Sequence, residues 1–377
     1  MSAFGSAATA GVAADRRFME LALSLGRRGL GRTWPNPAVG TVIVKDAEIV
    51  GRGWTQPGGR PHAEVEALRR AGAMARGATL YVTLEPCSHH GKSPPCADAV
   101  IASGIARVVS AMEDPNPEVA GRGHARLRSA GIGVDVGIEA TTARGDHAGH
   151  IRRMRDGRPH VTLKLAISAD GKAAGAGRRR VAITGNAVRD RVHLMRARSD
   201  AIMIGVGTAL ADDPVLTCRL PGMAKMSPIR VVLDAGLQLP IQSRLVATAG
   251  ETPLWIIGGE GAPAASETAA RQCGVEVLRV AEKQGRLDLR EVLRLLAKRG
   301  ITRLMIEGGP TVASALIEAD LVDEAIFFHS PLVIGEEGLP ALEPRPAQLL
   351  KQHLERVSSE PVGPDRQETY ERGSDHV

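Results

Sequence analysis

His62-Ala63-Glu64, followed by Pro86-Cys87 and then Cys96, are the residues of this 377-residue chain whose types and spacing point most directly to chemistry. One imidazole and two thiolates make a ligand set for zinc. Three protein ligands leave the fourth tetrahedral position of the metal open, as in catalytic rather than structural sites. Glu64 lies two residues past the histidine and is not needed as a ligand. A carboxylate there is placed to move protons for a reaction at the metal. Taken singly these residues say little, because a histidine before a helix is commonly a capping or surface residue and cysteine is a common small buried side chain. Their combination selects the metal.

The surrounding pattern predicts elements able to bring the three together. Phe18, Leu21, Ala22 and Leu25 recur at helical spacing, and residues 39–44 and 48–54 read as two strands of a hairpin about Lys45-Asp46. Residues 62–70 read as a helix with His62 at its start. Residues 78–84 read as a buried strand that delivers Cys87 past its end, and residues 95–103 as a helix opened by Pro95 and Cys96. A strand over 107–112, a helix over 124–130 and a strand over 133–137 follow. Helix starts favour anionic ligands and thiolate over thiol. Ligands separated by 24 and 8 intervening residues can then meet at one sheet edge.

Residues 140–158 are polar, charged and poor in strand formers, and the domain boundary is expected there. Beyond it, strands over 161–167, 201–204, 230–233, 254–257, 276–280, 303–306 and 325–328 alternate with helices over 187–198, 264–272 and 289–299. That is a second α/β domain. Gly205-Val206-Gly207-Thr208-Ala209-Leu210 has two glycines of a dinucleotide fingerprint and lacks the third, so a Rossmann domain is not supported. Glu307-Gly308-Gly309-Pro310-Thr311 leads from a strand into a helix, where backbone N–H groups can approach a phosphate. By itself such a turn is equally a plain connection.

Bulk properties narrow the classes. Two domains suit 377 residues, and 43% hydrophobic with 24% charged residues is ordinary for a soluble globular protein. The net charge of +6 is spread evenly, with 17 Lys/Arg against 14 Asp/Glu in residues 1–150 and 31 against 28 in the rest. With aromatic residues at 2%, a nucleic-acid partner is disfavoured. No apolar run has the length of a membrane span, so no membrane partner is expected. Residues 1–8 read as a short flexible tail rather than a signal peptide, and the expected compartment is cytoplasmic. Four cysteines, two of them assigned to the metal, make a disulfide framework unlikely on composition.

The pattern His-x-Glu, Pro-Cys and a second Cys resembles that of zinc-dependent deaminases. Eight residues separate the cysteines here, where nucleoside and nucleic-acid deaminases typically have two. The insert carries His89, His90 and Lys92. The run Thr83-Leu84-Glu85-Pro86-Cys87-Ser88-His89-His90-Gly91-Lys92-Ser93-Pro94-Pro95-Cys96, with Pro35-Asn36-Pro37-Ala38-Val39-Gly40 and Asp114-Pro115-Asn116-Pro117, resembles the bifunctional riboflavin-biosynthesis deaminase/reductase family. So do Lys164-Leu165-Ala166-Ile167-Ser168-Ala169-Asp170-Gly171-Lys172, Gly205-Val206-Gly207-Thr208, Leu216-Thr217-Cys218-Arg219 and the Glu307 motif.

The resemblance implies a cytidine-deaminase-like three-layer domain over residues 1–150 and a dihydrofolate-reductase-like α/β domain over 151–377. In that family the first domain deaminates 2,5-diamino-6-(5-phosphoribosylamino)pyrimidin-4(3H)-one, and the second reduces the ribosyl group of the product to ribityl. It implies Zn2+ and NADPH as cofactors, a small phosphorylated pyrimidine as substrate and a homo-oligomer. Residue by residue it implies His62, Cys87 and Cys96 on the metal, with Glu64, Lys164 and Asp212 as catalytic groups. Ala166, Thr208, Asp212, Gly309, Pro310, Thr311, Val312, Ala313, Ser314 and Ala315 would hold NADPH. Asn36, His89, Lys92, Arg180, Arg196, Leu216, Arg219 and Glu307 would hold substrate. For Asn36 a plain turn residue between two prolines is an equal reading, and for Arg196 a solvated helix face is the alternative. Where the family commonly has Ser-x-Trp-Ile-Thr, this chain has Arg180-Val181-Ala182-Ile183-Thr184. That departure keeps open a second domain that binds nucleotide or dimerises without turnover.

Overall fold

The computed structural model describes residues 3–89, 94–283 and 285–373, with side chains from residue 11 onward. The chain forms two compact units, Met1–Asp156 and Gly157–Val377.

In the first unit, α1 (Ala3–Gly26) precedes β1 (Gly40–Lys45), β2 (Glu48–Trp54) and α2 (Ala63–Ala71). Then come β3 (Thr79–Val82), α3 (Cys96–Ala102), β4 (Arg107–Ser110), α4 (Arg122–Ser129) and β5 (Gly133–Val136), closed by α5 (Ala140–Asp146) and α6 (Ala148–Asp156). The sheet order is β2-β1-β3-β4-β5. β1 is antiparallel to both its neighbours, and β3, β4 and β5 run parallel. Parallel β3 and β4 release their chains at the same sheet edge, which is where Cys87 emerges. Helix α2 lies directly on β2, because a Cβ on Gly53 would stand 2.3 Å from the Ala63 carbonyl oxygen and one on Gly51 2.4 Å from that of Ala67. Only glycine permits this approach, and it fixes the helix start that carries His62 and Glu64.

One expectation fails here, and the stretch 140–158, where the boundary was expected, contains the division between Asp156 and Gly157. Residues 3–8 belong to α1 and not to a flexible tail. The polar stretch 140–158 is mostly helix, packed within the first unit. Ala143, His147, His150 and Ile151 fall at helical spacing and are buried, while Arg144, Arg155 and Asp156 are exposed. His150 Nε2 lies 3.1 Å from Asp114 Oδ1, and the Arg27 guanidinium donates to Asp146 at 2.9 Å.

The second unit runs β6 (His160–Ile167), β7 (Lys172–Ala174), α7 (Asn186–Ala197), β8 (Ala201–Gly205), α8 (Val206–Asp212), β9 (Ile229–Leu233) and α9 (Arg244–Ala247). It continues through β10 (Leu254–Gly259), α10 (Ala264–Gln272), β11 (Glu276–Val280), β12 (Glu282–Lys283), β13 (Arg286–Leu287) and α11 (Leu289–Lys298). After β14 (Arg303–Ile306) come α12 (Pro310–Glu318), β15 (Glu324–His329), β16 (Leu339–Pro340), α13 (Pro344–His353), β17 (Glu355–Val362) and β18 (Asp365–Glu371). Nine strands form one sheet in the order β11-β10-β9-β8-β14-β6-β15-β18-β17, parallel as far as β15 and antiparallel beyond. Strand β14 is inserted between β8 and β6, so the chain leaves β8 and β14 side by side towards α8 and α12. Open α/β sheets bind ligands in such a crevice. The polar tail beyond Ser358 supplies the second half of β17 and all of β18. Seven of the eight β17 residues are exposed, so it carries no apolar alternation to announce a strand.

Candidate active sites in the two units

His62 is the N-cap residue of α2, with extended backbone (φ −70°, ψ 161°) that turns its ring towards the β3 edge. Its Nδ1 lies 3.3 Å from Cys96 Sγ and 3.7 Å from Cys87 Sγ, and all three ligand atoms lie within 4.8 Å of one another. Tetrahedral zinc, with bonds of about 2.3 Å to sulfur and about 2.0 Å to nitrogen, sets such N and S atoms roughly 3.5 Å apart. The residues present therefore fit zinc. Cys96 opens α3, and its backbone N–H donates to Cys87 Sγ at 3.3 Å. The Cys87 thiol is drawn down to about 4, first by the hydrogen bond from the Cys96 thiol and further by His62 and the Cys96 N–H. Such a group binds metal as thiolate.

Glu64 is buried beside this triad, at 3% exposure. Burial pushes its carboxyl up to about 7 against the opposing charge of His62. Asn36 Nδ2 donates to the Gly59 carbonyl at 2.8 Å and lies 3.4 Å from His62 Nε2, so it stands against the far side of the ligand ring. His89 is exposed, and Lys92 and His90 lie outside the described residues.

The residue that sequence reasoning missed is Glu85. Its carboxylate is buried and accepts four backbone N–H groups, with Asp114 and Gly121 on Oε2 (3.1 and 2.9 Å) and Gly123 and His124 on Oε1 (2.7 and 3.1 Å). Glu85, Glu113 and His124 also bring ligand atoms within 4.8 Å of one another, but the Glu85 oxygens are already taken up by these donors. Glu85 thus ties the segment after β4 to the turn carrying Cys87, two residues away. A charged residue directly after a fully buried strand was the available signal. Glu85→Gln can satisfy only one pair of donors and leaves buried N–H groups unpaired, each at about 1–3 kcal/mol. The expected result is reduced zinc content per chain and reduced deaminase activity with NADPH oxidation retained; metal analysis showing full zinc and full deaminase activity would contradict this role.

In the second unit Glu307 follows β14 immediately and receives Arg196 from α7 in a two-pronged ion pair, Nε to Oε2 at 2.9 Å and Nη2 to Oε1 at 2.8 Å. Arg196 Nη1 donates to the Thr217 carbonyl at 3.0 Å, and Lys164 Nζ from β6 stands 3.7 Å from Glu307 Oε1. Burial holds the Lys164 ammonium below its usual range, with Glu307 opposing. The Arg196 guanidinium is thus engaged with Glu307 and Thr217, neither on a solvated face nor turned to the cleft.

Lys164, Ala166, Arg178, Thr208, Asp212, Glu307, Gly309 and Pro310 are among the residues lining a cleft of about 200 Å³. Burial raises the Asp212 carboxyl, and the nearby Arg180 charge opposes it. A second cleft of about 440 Å³ is lined in part by Gly205, Thr208, Gly309, Thr311, Val312 and Ala315. Arg178, Gly207, Thr208 and Gly309 belong to both. Gly309 N–H, at the start of α12, donates to Thr208 Oγ1 at 3.0 Å. Ala313 is fully buried in the core, Ser314 lines neither cleft, and Leu216 is buried in the core with φ +58°. Arg219 is exposed, and its guanidinium is held below its usual range by partial burial and by the positive charges of Arg196, Arg244, Arg180 and Arg189. Guanidinium groups gathered this way suit a phosphate.

Comparison with known proteins joins the two sites. Residues 159–367 match the model of the RibD C-terminal domain, and residues 12–112 match that of the cytidine and deoxycytidylate deaminase zinc-binding region. Riboflavin biosynthesis protein RibD of Escherichia coli (strain K12) is 45% identical over 347 residues, covering 87% of this chain and 92% of its own. The chain belongs to the RibD family. RibD of Bacillus amyloliquefaciens is 42% identical, over 93% of this chain and 94% of its own. Acinetobacter baumannii RibD superposes with a TM-score of 0.85 at 36% identity, over 96% of this chain and all of that one. A diaminohydroxyphosphoribosylaminopyrimidine deaminase/5-amino-6-(5-phosphoribosylamino)uracil reductase from Thermotoga maritima superposes with a TM-score of 0.82 at 33% identity, over 96% of this chain and all of that one. As a RibD protein this chain is a riboflavin-biosynthesis enzyme, with a cytidine-deaminase-like, zinc-dependent deaminase domain and a dihydrofolate-reductase-like, NADPH-dependent reductase domain.

Proposed function

We propose that the first unit deaminates 2,5-diamino-6-(5-phosphoribosylamino)pyrimidin-4(3H)-one and that the second reduces the ribosyl group of the resulting 5-amino-6-(5-phosphoribosylamino)uracil to ribityl. The observation that carries the reading is the convergence of His62, Cys87 and Cys96 beside buried Glu64. His62, Cys87 and Cys96 hold the metal. Zinc, when bound, acidifies a coordinated water to a pKa of about 7. Glu64 accepts the proton of the attacking water and delivers it to the ring nitrogen. It then takes the remaining proton from the newly added hydroxyl as the carbonyl forms and passes it to the amine, whose C–N bond breaks so that it leaves as ammonia. A carboxyl whose own pKa lies near 7 is matched to both directions of transfer. Asn36 and His89 contribute to the substrate side of this site, Asn36 also steadying the His62 ring.

In the second unit NADPH, when bound, supplies the hydride. Gly309 and the first turn of α12, with Thr208, hold its phosphates, and Ala166 borders the reacting end. Glu307, fixed by Arg196, orients Lys164 towards the opened ribose, and Asp212 is placed to supply the proton. Arg180 and Arg219 take the substrate phosphate, so the arginine in place of the family's serine adds charge where the phosphate binds. The alkaline limb of reductase kcat should then fall below the roughly 10.4 of an ordinary lysine; a limb at or above that value would contradict the role of Lys164. No helix among the described residues is long and apolar enough to cross a membrane. A cytoplasmic homo-oligomer is the reading that goes with the family, and sedimentation of the purified chain tests the oligomer.

Metal removal separates the two activities. Chelator-treated enzyme should lose ammonia release and keep NADPH oxidation on deaminated substrate, with zinc restoring the first. Deaminase activity unaffected by complete zinc removal would overturn the assignment.

A further inference from the structure

The larger cleft of the second unit extends away from the Lys164–Glu307 end, across β8 towards the ends of β9 and of the β12–β13 hairpin, where it is lined by Leu233, Ala235, Gln238, Arg286 and Leu287. From β6 to β9 is three strand spacings, about 14 Å. A nicotinamide placed beside Lys164 therefore sends the adenosine half of the dinucleotide to this far end. Among the described residues, none that lines the larger cleft is acidic. NAD-binding sites read the ribose 2′-hydroxyl with a carboxylate, whereas an arginine accommodates a 2′-phosphate. Asp234, the acidic residue that follows β9, is fully buried with Oδ2 accepting from Leu239 N–H.

Arg178 and Arg286 are the cations that line this cleft among the described residues. Arg178 also lines the smaller cleft, and a Cβ on Gly207 would lie 3.4 Å from its Nη1, so it sits at the junction near the α8 start. Arg286 lies only at the far end. Its hairpin neighbour Lys283 is paired with Asp288, and the Arg286 side chain has no ion pair or hydrogen bond among the described residues.

We infer that Arg286 is the specificity-determining residue for NADPH over NADH, its guanidinium reading the 2′-phosphate of the adenosine ribose. The inference rests on the NADPH-dependent reductase reading of this unit. Calorimetric titration of the full-length protein with NADP+ and NAD+, without substrate, tests it in Arg286→Ala, Arg286→Lys and Arg178→Ala. Arg286→Ala should weaken NADP+ binding about 10- to 100-fold, as expected for loss of a charge-assisted hydrogen bond, and leave NAD+ within twofold. Arg286→Lys should restore part of the difference, and Arg178→Ala should weaken both ligands alike. An Arg286→Ala protein that keeps the wild-type preference for NADP+, or that loses both ligands equally, overturns the inference and leaves the reductase reading standing. Unmodified protein that binds neither dinucleotide overturns both.

Discussion

Glu64→Gln is expected to lower deaminase kcat by about 10²- to 10⁴-fold, the usual contribution of a positioned general acid–base. Zinc content and NADPH oxidation on deaminated substrate should be unchanged. The glutamine is close in volume, so the buried position beside Cys96 still packs. What it lacks is the ability to take a proton from water and return it to nitrogen. Because burial holds the Glu64 carboxyl near 7, the same side chain can act as base and then as acid at neutral pH. If Glu64→Gln retained ammonia release, proton transfer would have to run through another group. If it also lost zinc, Glu64 would be a support of the metal and not a shuttle.

Glu307→Gln should have the second large effect. The carboxylate sits between a two-pronged Arg196 and Lys164, with only 16% of its side chain exposed. Burial alone would raise its pKa, but the Arg196 and Lys164 charges hold it below the usual carboxylate range. Its contribution to stability is therefore present above the ordinary glutamate value of about 4.3 and lost as pH falls through the lower folded value. Removing the charge leaves two cations facing each other. Breaking one partner of a buried pair costs about 3–5 kcal/mol, whereas replacing both by apolar groups can be nearly neutral. Glu307→Gln should thus lower both the thermal stability of the second unit and NADPH oxidation, the latter at least about 100-fold, equivalent to about 2.7 kcal/mol of transition-state stabilisation. The double variant Arg196→Met, Glu307→Leu should recover part of the lost stability, Lys164 alone remaining unpaired, but not oxidation. Recovery of both would make the pair a packing element with no part in the reaction.

The metal site was legible because residue type and element agreed. A histidine at a helix start, a cysteine past a buried strand and a cysteine opening the next helix each carry a local signal, and together they determine the meeting point. Most of the second unit's strands were legible as apolar runs. Helices α5 and α6 were not, because their charged composition hides a buried stripe at Ala143, His147, His150 and Ile151. Strands β17 and β18 were not: the edge strand β17 is exposed at seven of its eight residues, and β18, although it lies inside the sheet between β15 and β17, is polar and charged along most of its length. Apart from the place of Glu85 after a buried run, Glu85 and Arg286 act through geometry. One is matched to four N–H donors from a segment about 30–40 residues away, the other placed on a two-residue strand, and neither leaves a spacing to read.

The most direct test of the bifunctional account is one reaction followed by two signals. Purified enzyme is given the diaminopyrimidine phosphoribosyl substrate with NADPH, and ammonia release and NADPH oxidation are recorded together. The account predicts that ammonia appears first, that NADPH loss follows after a lag, and that the two reach equal amounts. Ammonia release with no NADPH loss would make the second unit something other than a reductase of that product, and NADPH loss without prior ammonia would contradict the order of the two steps.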